Sequence, residues 1–239
     1  MYMLKEDLIN TYNDAKSYFE QLIKFVKINS LLALSLLVCY LISFFVDSTV
    51  RLWFSQIHSS VFDTIFSVGH FYGKLYLTIA AVVIFYGGGI VFNKEKIRLI
   101  GLKIFEAFFI SGIIVTVLKS IFGRWRPYSG HGSFSFVPFT LGPNDHLSLP
   151  SGDVAVAFAF SAVMASLFNN ILWKIFWYGL AVLTFFGRIY HDQHWLTDAV
   201  MAAVIATSVG LHISRQKIPA TMNNEQIKKI IKGKQYVGT

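Results

Sequence analysis

Asn29–Val46 reads NSLLALSLLVCYLISFFV, eighteen residues without a charge. A helix needs about 20 mainly apolar residues to cross the hydrocarbon core of a bilayer, with a range near 17–25. Working outward from this run, five more stretches have the same character: Leu75–Phe92, Ile97–Leu118, Val154–Phe168, Ile171–Phe186 and Trp195–Ile213. Ile97–Leu118 carries Lys103 and Glu106. The last three stretches are less hydrophobic and richer in small residues, which suits helices packed inside a bundle. The whole chain agrees with its parts. Of 239 residues, 54% are hydrophobic and only 14% charged, against about 25% charged in an average soluble domain. This composition excludes a disordered chain, a disulfide scaffold and most water-soluble folds. The one cysteine, Cys39, lies in the first apolar run and has no internal partner for a disulfide.

These stretches predict an all-α fold, a six-transmembrane-helix bundle over residues 29–213. Residues 1–28 are of another kind. Leu4, Leu8, Tyr12, Ala15, Phe19, Leu22 and Val26 recur at three- and four-residue steps, the period of an amphipathic helix. An N-terminal amphipathic interfacial helix, lying on the membrane surface, is expected there. The segment carries charges of both signs and lacks a compact apolar centre, so it does not read as a signal peptide. Residues 214–239 are polar and basic and are expected to form a cytoplasmic tail.

The net charge of +8 is first explained by topology. Fifteen of the 21 basic residues fall on one side of the spans, in residues 1–28, the 93–103 loop and flank, Lys174 and the tail. Loops rich in Lys and Arg stay in the cytoplasm, so both termini are expected inside. No nucleic-acid partner is expected.

The other six, Arg51, Lys74, Lys119, Arg124, Arg126 and Arg188, fall on the outer side. Lys119, Arg124 and Arg126 lie within eight positions at the outer end of the third span, and Arg188 at the outer end of the fifth. Cations at membrane level are costly unless paired and mark functional sites. Guanidinium forks suit phosphate because they bind two oxygens at once. A second element, Leu149-Pro150-Ser151-Gly152-Asp153, precedes the fourth span. Ser151 can cap that helix, Gly152 lets the backbone come close to a ligand, and a helix start attracts anions. Taken alone, such an element is more often simple helix capping. The third element runs from Gly187 to Asp198. His194 and Asp198 are four apart, on one face of a helix. An Asp that holds one imidazole nitrogen leaves the other free as a base or nucleophile. A metal site fits less well, because cations rather than further ligands surround the pair.

Together these elements resemble the type-2 phosphatidic acid phosphatase family. Lys119, six residues, then Arg126-Pro127 matches its first motif; Pro150-Ser151-Gly152 matches most of its second; Arg188, five residues, His194, three residues, Asp198 matches its third. The resemblance implies a metal-independent membrane lipid phosphatase without cofactor, acting at the outer face of a bacterial cytoplasmic membrane. His194 would attack phosphorus and form a phosphohistidine, with Asp198 orienting it. Lys119, Arg126, Arg188, Ser151 and Gly152 would hold the phosphate. Arg124 is accessory: it touches phosphate or headgroup, or pairs with an acid. The implied substrate is a membrane lipid phosphate or diphosphate, with a lean to lipid A or a polyprenyl diphosphate.

The sequence departs from the family at two positions. Gly187 stands where the family has Ser. Asp153 stands where the family has the His that protonates the leaving oxygen. An ionised carboxylate about 4 Å from phosphate costs about 4 kcal/mol per charge pair at an effective dielectric near 20. Three readings stay open: Asp153 is a working acid, the leaving group needs little help, or the site is weak or dead. Two competing functions stand beside hydrolysis: transfer of phosphate to a lipid hydroxyl, and a membrane protein that only binds lipid phosphate. His131, His146 and His191 are spare imidazoles on the same side, and His146 is the first choice as a substitute acid. The long run Tyr128–Pro150 is expected to be a lid or specificity loop.

Overall fold

The computed structural model describes residues 2–216, and among these the chain is helical, without strands. The expected tail therefore falls mostly outside the described residues. Ten helices follow in order: α1 Tyr2–Ile28, α2 Ser30–Ser43, α3 Asp47–Gln56, α4 Ser60–Tyr72, α5 Leu75–Val82, α6 Gly88–Val91, α7 Glu95–Phe122, α8 Gly152–Ser166, α9 Ile171–Tyr190 and α10 Leu196–Arg215. A single 3-10 turn joins α2 to α3, and a single π turn joins α5 to α6.

Four segments are long and apolar enough to span a membrane: Ser30–Gln56, Glu95–Phe122, Ile171–Tyr190 and Leu196–Arg215. A fifth is a bent pair, Ser60–Tyr72 with Leu75–Val91, which meet at 46°. The remaining expected span is α8, apolar but only 15 residues long. Four to five spans is thus the count that length and composition support, against the six expected. The sequence reading also passed over α4. Its 13 residues are shorter than a span and carry Asp63 and polar Ser and Thr, so no transmembrane run stood out.

The outer surface and the interior invert the arrangement of a soluble protein. α2 buries none of its residues, and its leucines stand exposed. The interior faces of α8 and α10 are built largely from small residues. Ala155, Ala157, Ala159, Ala162 and Ala165 of α8 are buried, as are Ala199, Ala202 and Ala206 of α10. At Gly210 an added Cβ would lie 2.6 Å from the Ala162 Cβ, so these two backbones approach too closely for a larger residue.

Two short devices place the functional end. Gly123, at φ +58, ends α7 in the left-handed conformation and returns its N–H to the Lys119 carbonyl. A Cβ there would collide with the Val137 carbonyl. The chain then turns back, so that Arg124 and Arg126 follow Lys119 at one end of the bundle. At the other device, the bend between α4 and α5, Gly73 packs on Thr184 and Asp153.

α1 is helical over the length expected, and its polar side faces the bundle. Arg98 donates to Asp7 at 2.6 Å, Tyr86 donates to Asp7 at 2.7 Å, and Thr11 donates to Glu106 at 3.0 Å. Leu4, Leu8, Tyr12, Phe19, Leu22 and Val26 are exposed on its other side. Lys103 does not pair with Glu106; it donates to the Ser214 and Gln216 carbonyls.

Candidate active site

The site lies where the end of α7, the start of α8, the end of α9 and the start of α10 meet. Its centre is His194, 3% exposed, in the short link between α9 and α10. Asp198 sits in the first turn of α10 and accepts from the Trp195 N–H at 2.9 Å, which caps that helix. The same oxygen, Oδ2, faces His194 Nδ1 at 3.6 Å. That is longer than an ordinary hydrogen bond. Ser148, which the sequence reading did not single out, fills the gap. Its hydroxyl donates to Asp198 and lies 3.4 Å from His194 Nδ1. Nδ1 is thereby turned to Asp198 and Ser148, and Nε2 is the nitrogen left for chemistry. Burial is the main cause that lowers His194 from 6.5 to about 3; Lys119, Arg126 and Arg188 push the same way, and the contact with Asp198 opposes them. A neutral imidazole, the nucleophilic form, is the result.

Lys119, Arg126 and Arg188, the cations expected to clamp phosphate, come together around this histidine and act on one another. Each is held by neutral oxygens or by one acid. Lys119 donates to the Leu147 carbonyl. Arg126 donates to the Asn144 carbonyl and side chain, each at 2.9 Å, and to Gln193 at 3.4 Å. Arg188 meets Asp153 at 3.1 Å and Gln193 at 3.5 Å. Besides His146 Nδ1 and Trp177 Nε1, two buried polar atoms at this site have no partner among the described residues: Ser151 Oγ and Arg188 Nε. An unsatisfied buried donor costs about 1–3 kcal/mol. Both belong to residues that the sequence assigned to phosphate binding. Ser151 caps α8 by its backbone alone, so its hydroxyl is not occupied by the capping role that the sequence left open. Gly152 lies beside Lys119, with an added Cβ 3.9 Å from the Lys119 Cε.

Arg124 takes a different part from the clamp. It is fully buried and ion-paired to Asp47 and Asp198, each at 2.7 Å. It also donates to Thr197 at 2.6 Å and to the Ser133 carbonyl. Asp47, at the start of α3, accepts in addition from the Thr197 N–H and hydroxyl. Of the two roles left open for Arg124, the structure places it with the acids, where it holds Asp198 from behind. Asp47 was legible only in retrospect, as an acid at the end of an apolar run at the level of an unpaired cation.

Asp153 lies at the second residue of α8, against Arg188 and, at 3.7 Å, Lys74. His146 is not brought to the site: it packs edge-on against Trp125 at 3.8 Å. His131 stacks on the same Trp125 indole at 3.7 Å. Two cavities meet at Asp153. A polar one of about 680 Å³ is lined by His70, Lys74, Arg126, Asn144, Arg188 and His191 among others. An apolar one of about 540 Å³ runs between α5, α7 and α8, from Phe108, Gly112 and Ile113 to Lys119 and Gly152.

Comparison with known proteins gives three findings. The model of the PAP2 superfamily matches residues 100–221. Two curated proteins, the lipid A 1-phosphatases of Rhizobium johnstonii and Rhizobium etli, are each 31% identical over 103 residues, 42% of this chain and 41% and 43% of theirs. The chain thus matches about two fifths of the length of these curated relatives. The crystal structure of Aquifex aeolicus LpxE aligns with a TM-score of 0.56 at 23% identity, covering 72% of this chain and 96% of that one. The PAP2 type phosphatidylglycerolphosphate phosphatase from Bacillus subtilis aligns with a TM-score of 0.52 at 18% identity, covering 100% of this chain and 98% of that one. At these identities the two structures are evidence of a shared fold.

Proposed function

This chain belongs to the PAP2 superfamily, and from that membership we propose that it is an integral membrane lipid phosphatase working through a phosphohistidine. The observation that carries the reading is the pair of unpartnered buried atoms, Ser151 Oγ and Arg188 Nε, in a cluster of cations around a neutral His194. A tetrahedral oxyanion satisfies those groups and relieves the repulsion among Lys119, Arg126 and Arg188.

In this scheme His194 Nε2 attacks phosphorus in line with the leaving oxygen. The three cations, Ser151 and the Gly152 amide hold the non-bridging oxygens as charge shifts between them. Asp198, fixed by Arg124, Ser148 and the Trp195 N–H, stabilises the imidazole as it bonds to phosphorus. Water then attacks the phosphohistidine and releases phosphate. The electrostatic work falls to fixed side chains, so the scheme uses no metal or cofactor.

The substrate is a lipid phosphate or diphosphate: lipid A, a polyprenyl diphosphate or a glycerophospholipid. The apolar cavity beside Lys119 and Gly152 supports a substrate with hydrocarbon chains. The names of the Rhizobium relatives favour lipid A among these. We place the chain in the bacterial cytoplasmic membrane as six spans, counting the bent pair and the short α8. Both termini are cytoplasmic, α1 lies in the inner interface, and the site faces outward. The Lys and Arg bias supports this orientation, and the exposed apolar side of α1 supports its interfacial position. The Tyr128–Pro150 segment serves as the specificity loop.

A second reading follows from Asp153, whose carboxylate already occupies Arg188: a protein that holds lipid phosphate with weakened turnover, or passes phosphate to another hydroxyl. The deciding experiment reconstitutes the full chain in vesicles that contain a lipid phosphate and measures inorganic phosphate. Steady release, lost by about 10⁴-fold or more in His194→Ala, is expected for a nucleophile. Phosphate binding without release selects the second reading, and full turnover in His194→Ala refutes the phosphohistidine.

A further inference from the structure

Breaking a phosphate ester of an alcohol expels an alkoxide, which needs a proton as it leaves. Asp153 is badly placed to supply one, because its carboxylate is already engaged by Arg188 at 3.1 Å and Lys74 at 3.7 Å. The same cavity holds an imidazole that the sequence did not single out. His70 lies in the last turn of α4, and its Nδ1 is 3.1 Å from Arg188 Nη1. That guanidinium nitrogen is also the one that meets Asp153. The bend after α4 fixes the arrangement. Gly73 is pressed against Asp153 and Thr184, so His70 before the bend and Lys74 after it are both carried to Asp153.

Resting on the phosphatase reading above, we infer that His70 is the general acid for the leaving oxygen, taking the place that Asp153 cannot fill. An arginine only donates, so with Arg188 against it His70 Nδ1 is an unprotonated acceptor. A phosphate that takes up Arg188 frees that nitrogen to accept a proton. The groups facing His70 are Lys74 on its own helix pair, Arg188 and His191 from α9 and its end, and Asp153 from α8. Two cations oppose the imidazolium in the empty site; the incoming phosphate charge offsets them, and Asp153 assists. The proton then passes from His70 to the departing oxygen as the bond from His194 Nε2 to phosphorus forms and the phosphorus–alkoxide bond breaks. In the second half, neutral His70 takes a proton from the attacking water. The new phosphorus–oxygen bond forms, the phosphorus–nitrogen bond breaks, and His70 is again charged.

The test uses the full chain in mixed micelles and two esters with the same chain: decyl phosphate and 4-decyl-2-nitrophenyl phosphate. The nitrophenol leaves without a proton. His70→Asn should lower turnover of the alkyl ester by about 10²-fold or more and that of the nitrophenyl ester by under about tenfold. Asp153→His on the His70→Asn background should restore the alkyl ester. Equal losses on both esters would mean that His70 only orders Arg188, and a selective loss in His191→Asn instead of His70→Asn would move the acid to His191; either overturns the inference. Should His70→Asn fail to fold, the unaltered chain still decides. The ratio of alkyl to nitrophenyl kcat/KM must fall as pH rises through the imidazolium titration, and a flat ratio refutes the assignment. Hydrolysis of neither ester by the unaltered chain refutes the phosphatase reading itself, whereas hydrolysis of both with no selective loss refutes only His70.

Discussion

Arg124 and Arg188 are both buried guanidinium groups at the same end of the bundle, and their surroundings differ in kind. Arg124 has two carboxylates, a hydroxyl and a carbonyl around it. Its charge also lies over Phe44 at 4.5 Å. Arg188 shares one partially exposed carboxylate with Lys74, and its Nε has no partner. The first arginine is saturated by the protein; the second is left short by about one anion. A structural cation completes its shell from its own chain, whereas a ligand-binding cation keeps part of its shell open.

Removing each arginine should therefore fail differently. Arg124→Gln strands Asp47 and Asp198 as buried charges, and breaking a buried pair costs about 3–5 kcal/mol. A large fall in thermal unfolding temperature in detergent is expected, and a small one would put Arg124 with the clamp. Arg188→Gln should leave the unfolding temperature nearly unchanged and lower kcat by about 10²–10³-fold, the range for one lost transition-state donor. If it unfolds the protein as readily as Arg124→Gln, the contrast is wrong.

A gentler test uses pH. His194 is held down at about 3 in the fold against 6.5 unfolded. Between those values the unfolded chain binds a proton that the folded chain refuses. The contribution of His194 to stability is complete above about 6.5 and is lost progressively as pH falls through that window. Unfolding temperatures should drop with acid, and His194→Asn should flatten part of that slope. The smallest effect is expected at Arg51, whose pair with Asp192 is about one-third exposed. Arg51→Ala should cost under about 1 kcal/mol, and a larger loss would show that the 191–195 link depends on it.

What could be read beforehand follows the same division. Lys119, Arg126, Arg188, His194 and Asp198 were legible because charge is rare in this chain and their spacing is short. Asp47, Ser148 and His70 were not. Each becomes meaningful only through a contact across the fold: Asp47 with Arg124, Ser148 with Asp198, His70 with Arg188. Spacing along the chain carries no trace of those encounters. The apolar runs were legible as helices, but α4 was hidden by its length, and α8 fell short of a span. His146 misled because closeness in sequence to Ser151 stood in for closeness in space, and the indole of Trp125 claims it instead.

The polar and apolar cavities share one wall, Asp153. One amphiphile can therefore fill both at once, with its anion on the open arginine and its chain beside Gly112. Joining two weak ligands in this way multiplies affinity through effective concentration. A non-hydrolysable alkyl phosphonate should inhibit far better than inorganic phosphate and a fatty alcohol supplied together, and that synergy offers a starting point for inhibitor design.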